Sequence, residues 1–314
     1  MKIVLQYRAS AGFQAQIAAA FAGEDPVLVI DEDDEATFAR EMADTELLLH
    51  VLKPVTAQVI AAAPRLKLIQ KIGVGVNTID LDAARAHGVA VANMPGTNSA
   101  AVAEMALSLM FAVLRRTTYF DTLTRAGQGW RPDLDVLDQA GEIAGRTVGL
   151  VGYGGSASRL APVLRALGAR VLYTARSPRA EDAASYRDLP ALLREADIVS
   201  LHVPSIPETR RMIDAPALVS MKTGAILINT ARGDLVDEAA LVDALRSGHL
   251  RGAGLDVFAA EPTPADNPLF DLPQAVLAPH VAWLTPETLA RSLVVARENA
   301  RRLAAGEALL HQVV

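Results

Sequence analysis

The chain has 314 residues, 51% hydrophobic and 21% charged, with a net charge of −6 and no cysteine. That is a soluble globular composition, long enough for about two domains that bury their own cores without staples. It excludes a disulfide framework, a zinc–thiolate or iron–sulfur site and a thiol nucleophile, and the mild negative charge without a basic run argues against nucleic acid as a partner.

The N-terminal stretch MKIVLQYRASAG lacks the long apolar region of a signal peptide, so the expected location is the cytoplasm. No window approaches 18 uninterrupted apolar residues, so no membrane partner is expected. Short apolar runs then alternate with helix-length amphipathic segments. The runs are KIVLQ (2–6), VLVI (27–30), ELLLH (46–50), LKLIQKI (66–72) and VAVAN (89–93). A segment from about Ser99 to Arg125, rich in helix formers after Pro95-Gly96, reads as one long connecting helix. A second series follows: RTVGLVG (146–152), ARVLYTA (169–175), DIVSLHV (197–203), AILINTA (225–231), GAGLDV (252–257) and AVLAPHV (275–281). Continuous apolar runs alternating with helices predict parallel sheets covered on both faces. The last helix starts at Thr285-Pro286-Glu287, and its apolar face returns toward the first domain. The acidic run Asp31–Glu35 reads as solvated acids at a helix start, and no metal is expected.

Gly152-Tyr153-Gly154-Gly155-Ser156-Ala157 joins a strand to a helix and fits the dinucleotide pattern G-x-G-x-x-G/A. The first glycine permits the turn, the second lets the backbone approach a pyrophosphate, and the amides of Gly155 and Ser156 would face phosphate oxygens. About 20 residues on, where an acid would bind the ribose of NAD, the chain reads Thr174-Ala175-Arg176-Ser177. Arg176 offers a permanently charged fork and Ser177 a hydroxyl for a 2′-phosphate, so the preferred cofactor is NADP(H), with NAD(H) the alternative.

Of His50, His87, His202, His249, His280 and His311, His280 ends the last strand of the nucleotide domain, at the edge where α/β ligands bind. Arg232 and Glu261 leave apolar runs at the same edge. A carbonyl accepting a hydride needs a proton donor, which His280 would be; a carboxylate beside the imidazole favours imidazolium and orients it, and a guanidinium grips a substrate carboxylate.

Together KIGVGVNTID (71–80), NMPGTNSAAVAE (93–104), GLVGYGGSA (149–157), SLHVPSIPETR (200–210), MKTGAILINTARGDLVDEAAL (221–241), GAGLDVFAAEP (252–262) and APHVAW (278–283) resemble the D-isomer-specific 2-hydroxyacid dehydrogenase family, in particular its NADPH-preferring glyoxylate/hydroxypyruvate reductases. The resemblance implies an α/β fold of two Rossmann-like doubly wound domains, with the active site in the cleft between them. It implies that Arg232 orients the 2-oxo acid, His280 protonates the carbonyl and Glu261 pairs with His280. It implies cofactor contacts at His202, Pro204, Thr209, Thr230 and Asp256, and substrate contacts at Val74, Gly75 and Trp283. Two departures are Ala157 for the commoner third glycine and Ala175-Arg176-Ser177 for the usual acid.

The expected substrate domain is 1–98 plus 285–314 and the dinucleotide-binding domain 99–284, with a homodimer formed through the latter. The expected reaction is hydride transfer between NADPH and a small 2-oxo acid. The alternatives are an NAD-dependent dehydrogenase for a bulkier substrate, or a non-catalytic dinucleotide sensor like the corepressors that resemble this family.

Overall fold

A computed structural model describes residues 1–23 and 25–314. The chain divides into two compact units, Met1–Asn98 with Trp283–Val314, and Ser99–Ala282. Trp283 and Leu284, expected at the end of the nucleotide domain, therefore fall in the first unit.

The first unit holds strands β1 (Ile3–Gln6), β2 (Val27–Ile30), β3 (Leu47–His50), β4 (Leu68–Lys71) and β5 (Ala90–Ala92), in the order β2-β1-β3-β4-β5. All pairs are parallel. Because strand side chains alternate, Ile3, Leu5, Leu47 and Leu49 face one way, onto Phe13, Ile17, Leu289 and Leu293; Val4, Leu48 and Ile69 face the other, onto Phe38, Met42 and Ile60. Helix Pro286–Ala305 thus completes the first unit's core, from the face predicted for it. Thr285 caps it by accepting the Thr288 amide at 3.1 Å. Its Asn299, buried, donates to Gln70 Oε1 on β4 at 2.6 Å and accepts the Leu310 amide at 2.7 Å. The residues after the helix then bond to β5, with Val313 N donating to Val91 O at 2.7 Å and Asn93 N to His311 O at 3.1 Å.

The second unit holds β6 (Thr147–Val151), β7 (Arg170–Thr174), β8 (Ile198–Leu201), β9 (Ala225–Asn229), β10 (Leu250–Leu255) and β11 (Ala275–Leu277), in the order β11-β10-β9-β8-β6-β7, again parallel throughout. Val148, Leu150 and Val171 pack on Met110, Val113, Leu160 and Leu164; Leu172, Val199 and Leu227 pack on Leu192, Leu218 and Leu241. The chain reverses its winding between β6 and β8, the switch point at which doubly wound sheets bind ligands.

The long helix expected over 99–125 is two helices. Ser99–Arg115 buries Ala106, Leu109, Met110, Val113 and Leu114; Thr117–Arg125 buries nothing. Arg116 separates them at φ 51°, a left-handed conformation that costs an L-residue about 1–2 kcal/mol. The apolar face stops at Leu114, so nothing holds the chain on the sheet beyond it. Within the acidic run Asp34 caps the next helix by accepting the Thr37 amide at 3.0 Å and Glu35 pairs with Lys53, but Glu32 is not the solvated acid expected: its Oε1 is buried without a hydrogen-bond partner, and burial raises its pKa. Among the described residues, no group of three or more His, Cys, Asp or Glu could hold a metal ion, and no helix is long and apolar enough to cross a membrane.

Candidate active site

After β6 the chain turns at Gly152, with φ +96°, and a Cβ there would stand 2.7 Å from the His202 carbonyl oxygen. Only glycine fits both the dihedral and the space. Gly154 caps helix Gly155–Ala166 with no side chain, and a Cβ on it would meet nothing within 4 Å. Ala157 is fully buried, so the small third residue serves close helix packing as glycine would. An uncapped helix start beside open space fits the pyrophosphate of a dinucleotide. Ser156 Oγ lies 3.1 Å from His202 Nδ1, and His202 Nε2 lies 2.9 Å from Ser200 Oγ. Desolvation pushes His202 down to about 4, so the ring is neutral at pH 7 and ties β8 to the phosphate loop.

Arg176 and Ser177 follow β7 and are exposed. Beyond them the structure adds a residue that the sequence reading left out: Arg179 donates from Nη2 to the Tyr153 carbonyl inside the glycine loop at 3.2 Å. Its amide donates to Tyr173 Oη at 2.6 Å, and Tyr153 stacks on Tyr173 with ring centroids 4.2 Å apart. Tyr153 belongs to the loop and Tyr173 to β7. Pro204 is exposed, and the Thr209 hydroxyl is used inside its own turn, donating to Pro204 O at 2.7 Å and accepting the Ile206 amide at 2.9 Å. Thr230 differs: its Oγ1 is buried with no hydrogen-bond partner, at the carboxyl end of β9, where a bound group would satisfy it.

Arg232 and Glu261 come from separate loops that Gly233 brings together. A Cβ on Gly233 would overlap the Phe258 carbonyl at 1.9 Å, so the two backbones touch only because that side chain is absent. Asn229 holds the Arg232 turn by donating to Arg232 O at 2.8 Å and accepting the Ala231 amide at 3.0 Å. Burial pulls the Arg232 guanidinium below its ordinary value, while Glu261 and Asp234 act in the opposite direction.

His280 lies three residues beyond β11, at φ 55°, and its Nδ1 is 2.6 Å from Glu261 Oε2. The other Glu261 oxygen accepts the Phe258 amide at 2.9 Å. Burial works to raise Glu261, but the His280 bond, the Phe258 amide and the Arg232 charge together hold it below the usual carboxylate range. Asp256 is fully buried, and its two oxygens accept the Val281 amide at 2.8 Å and the Ala282 amide at 2.9 Å. Its backbone oxygen accepts the His280 amide at 2.7 Å. Burial pushes Asp256 up to about 6. Asp256, expected as a cofactor contact, is observed as the clamp that holds the strained His280 turn.

In the first unit, Gly73 turns at φ +136° ahead of exposed Val74, whose carbonyl accepts Asn93 Nδ2 at 2.9 Å; Gly75 follows in the same loop. Trp283 is packed into that unit's core with Tyr7, their rings 6.2 Å apart, so its observed contacts are those of a core aromatic.

Residues 107–282 match the family model for the D-isomer specific 2-hydroxyacid dehydrogenase NAD binding domain. The chain is 40% identical over 294 residues to a D-3-phosphoglycerate dehydrogenase of Mycobacterium leprae, covering 92% of this chain and 55% of that one; it spans about half the length of such relatives. It is 39% identical over 263 residues to a glyoxylate reductase of Aeropyrum pernix, covering 81% of this chain and 78% of that one. A crystal structure of a Thermus thermophilus protein superimposes with a TM-score of 0.88 at 37% identity over the whole of both chains. With the matched domain comprising more than half of its length, this chain belongs to the D-isomer-specific 2-hydroxyacid dehydrogenase family.

Proposed function

We propose that the chain reduces a small 2-oxo acid of the glyoxylate or hydroxypyruvate kind to the D-2-hydroxy acid with NADPH, acting as a homodimer through its second unit. The observation that carries the reading is the His280–Glu261 pair, 2.6 Å apart at the same carboxyl edge as the glycine loop. NADPH, when bound, supplies the hydride that goes to the carbonyl carbon. Glu261 engages Nδ1 of His280, which leaves Nε2 to give its proton to the carbonyl oxygen. Arg232 offers its fork to the substrate carboxylate and polarises the adjoining carbonyl. Gly152, Gly154, Gly155 and Ser156 would hold the pyrophosphate, and Thr230 Oγ1 a polar group of the bound cofactor. Val74, Gly75 and Trp283 are carried as substrate-side residues on the family likeness alone.

The NADPH preference is supported by the missing acid after β7 and by two arginines there, Arg176 exposed and Arg179 anchored on the loop itself. The relatives named glyoxylate reductase support the small substrate. The dimer is supported by helix Thr117–Arg125, which buries nothing, and by exposed Trp130, Leu134 and Leu137 after it.

The test is kcat/KM with NADPH and NADH against glyoxylate, hydroxypyruvate and bulkier 2-oxo acids, and with NADP and NAD against D-3-phosphoglycerate. The expected result is a preference for NADPH of about tenfold or more, with glyoxylate or hydroxypyruvate the best substrate. Equal use of NADH overturns the cofactor assignment, and a bulkier or phosphorylated substrate overturns the substrate. Tight nucleotide binding without turnover makes the chain a sensor.

A further inference from the structure

The opposite edge of the second sheet carries a second arginine cluster. Arg116 lies at the break between the two helices, Arg146 immediately precedes β6, and Arg251 belongs to β10. Two irregularities of the backbone aim these side chains. Arg116 is left-handed, at φ 51°. Arg251 is the extra residue of a β-bulge, since Leu250 pairs with Ala225 and Gly252 with Ile226, its neighbour. Bulges re-aim side chains, and this one sends Arg251 out of the sheet's register. The guanidinium groups of Arg146 and Arg251 meet over Gly141: a Cβ there would stand 2.6 Å from Arg146 Nη2 and 3.4 Å from Arg251 Nη2.

No carboxylate bonds to any of the three among the described residues. Arg146 Nε donates to the Glu142 carbonyl at 2.6 Å, and Arg116 Nη2 donates to Gln139 Oε1. Asp197, the acid that feels Arg146, is already committed to Lys222 Nζ at 2.8 Å and the Thr147 amide at 2.7 Å. Arg251 Nε and Nη2 and Arg116 Nε are buried without a hydrogen-bond partner. Burial and the charges of Arg146 and Arg116 all pull Arg251 below its ordinary value. Buried guanidinium nitrogens are ordinarily paired, and like charges gathered without a counter-ion repel. Arg251 as a whole residue is half-buried.

We propose that Arg116, Arg146 and Arg251 form an oxyanion-binding site around Gly141, separate from the catalytic edge, that takes an anion of the phosphate or carboxylate class. Planar forks match both oxyanions. The two sources of that chemistry are a free phosphate-class ion and a carboxylate side chain of a second copy of this chain.

The test uses the full chain saturated with NADPH, which occupies the phosphate loop. Binding of inorganic phosphate is measured by calorimetry, and self-association by sedimentation without phosphate, for wild type, Arg251→Met and Arg146→Met. A free-ion site gives phosphate binding weakened by about tenfold or more in both variants, with association unchanged. A carboxylate from a second copy gives association weakened by a similar factor. Phosphate affinity and association both unchanged in the two variants overturn the proposal. Turnover stays at the wild-type level in each variant and reports folding. Gly141→Ala, which sets a methyl among the guanidinium groups while keeping every charge, is the second probe should a methionine variant fail to fold; it must weaken the same quantity, and an unchanged value overturns the site.

Discussion

The two sheets start alike and differ at one turn. In each, the first strand is followed by a helix. In the first unit Ser10 caps helix Ala11–Ala20 by accepting the Phe13 amide at 3.2 Å, so the helix satisfies itself. In the second, Gly154 stands at the same place with no side chain and open space before it. Both sheets order their first five strands in the same way, so the architecture does not decide which one takes a dinucleotide. The decision rests on whether the first helix keeps its amides for itself or leaves them for a phosphate.

The largest effect is expected at the chemistry that this open turn serves. His280→Gln lowers kcat by about 10²- to 10⁴-fold and leaves the NADPH dissociation constant within about twofold, read from turnover and a fluorescence titration. Gly152→Ala attacks the turn itself: it places a methyl against the His202 carbonyl at φ +96°, costs about 2 kcal/mol of stability and weakens NADPH binding by about tenfold or more. An unaltered nucleotide affinity in that variant would break the contrast between the two turns.

Asp256→Asn cannot accept both the Val281 and Ala282 amides, so it costs about 1–3 kcal/mol and lowers kcat through a displaced His280, with KM for the nucleotide little changed. The native carboxyl keeps its proton up to about 6, whereas the unfolded one loses it near 3.8. Its contribution to stability is therefore full below 3.8 and is lost as the pH rises through about 6. Denaturation of both proteins across that range should show the wild type's advantage over Asp256→Asn shrinking as pH rises. The smallest effect belongs to the self-satisfied turn: Ser10→Ala costs about 1 kcal/mol in urea denaturation and leaves turnover alone.

Much of this was legible in the sequence because parallel strands covered on both faces are written as unbroken apolar runs, and because Gly152 answers to a backbone need. Arg232, Glu261 and His280 could be picked out as polar residues leaving such runs at one edge. The break at Arg116 carried no signal, since Arg115-Arg116-Thr117 holds neither glycine nor proline and the turn comes from where burial ends. The bulge at Arg251 was equally silent, as register is a property of two strands and not of one. Arg179 was passed over because its partner, the Tyr153 carbonyl, is a backbone atom that every residue possesses.

The way helix Pro286–Ala305 closes the first unit's core bears on how the chain acquires its fold. Synthesis delivers β1 to β5 first, yet Ile3, Leu5, Leu47 and Leu49 lack the Leu289 and Leu293 face until the whole second unit has been made. The second unit is continuous from Ser99 to Ala282, and its two apolar clusters draw only on residues of that span. The usual order of N-terminal domain first is therefore expected to be inverted: the nucleotide-binding unit is complete as a sequence before the unit begun ahead of it, whose apolar sheet face stays uncovered until Leu289 and Leu293 arrive.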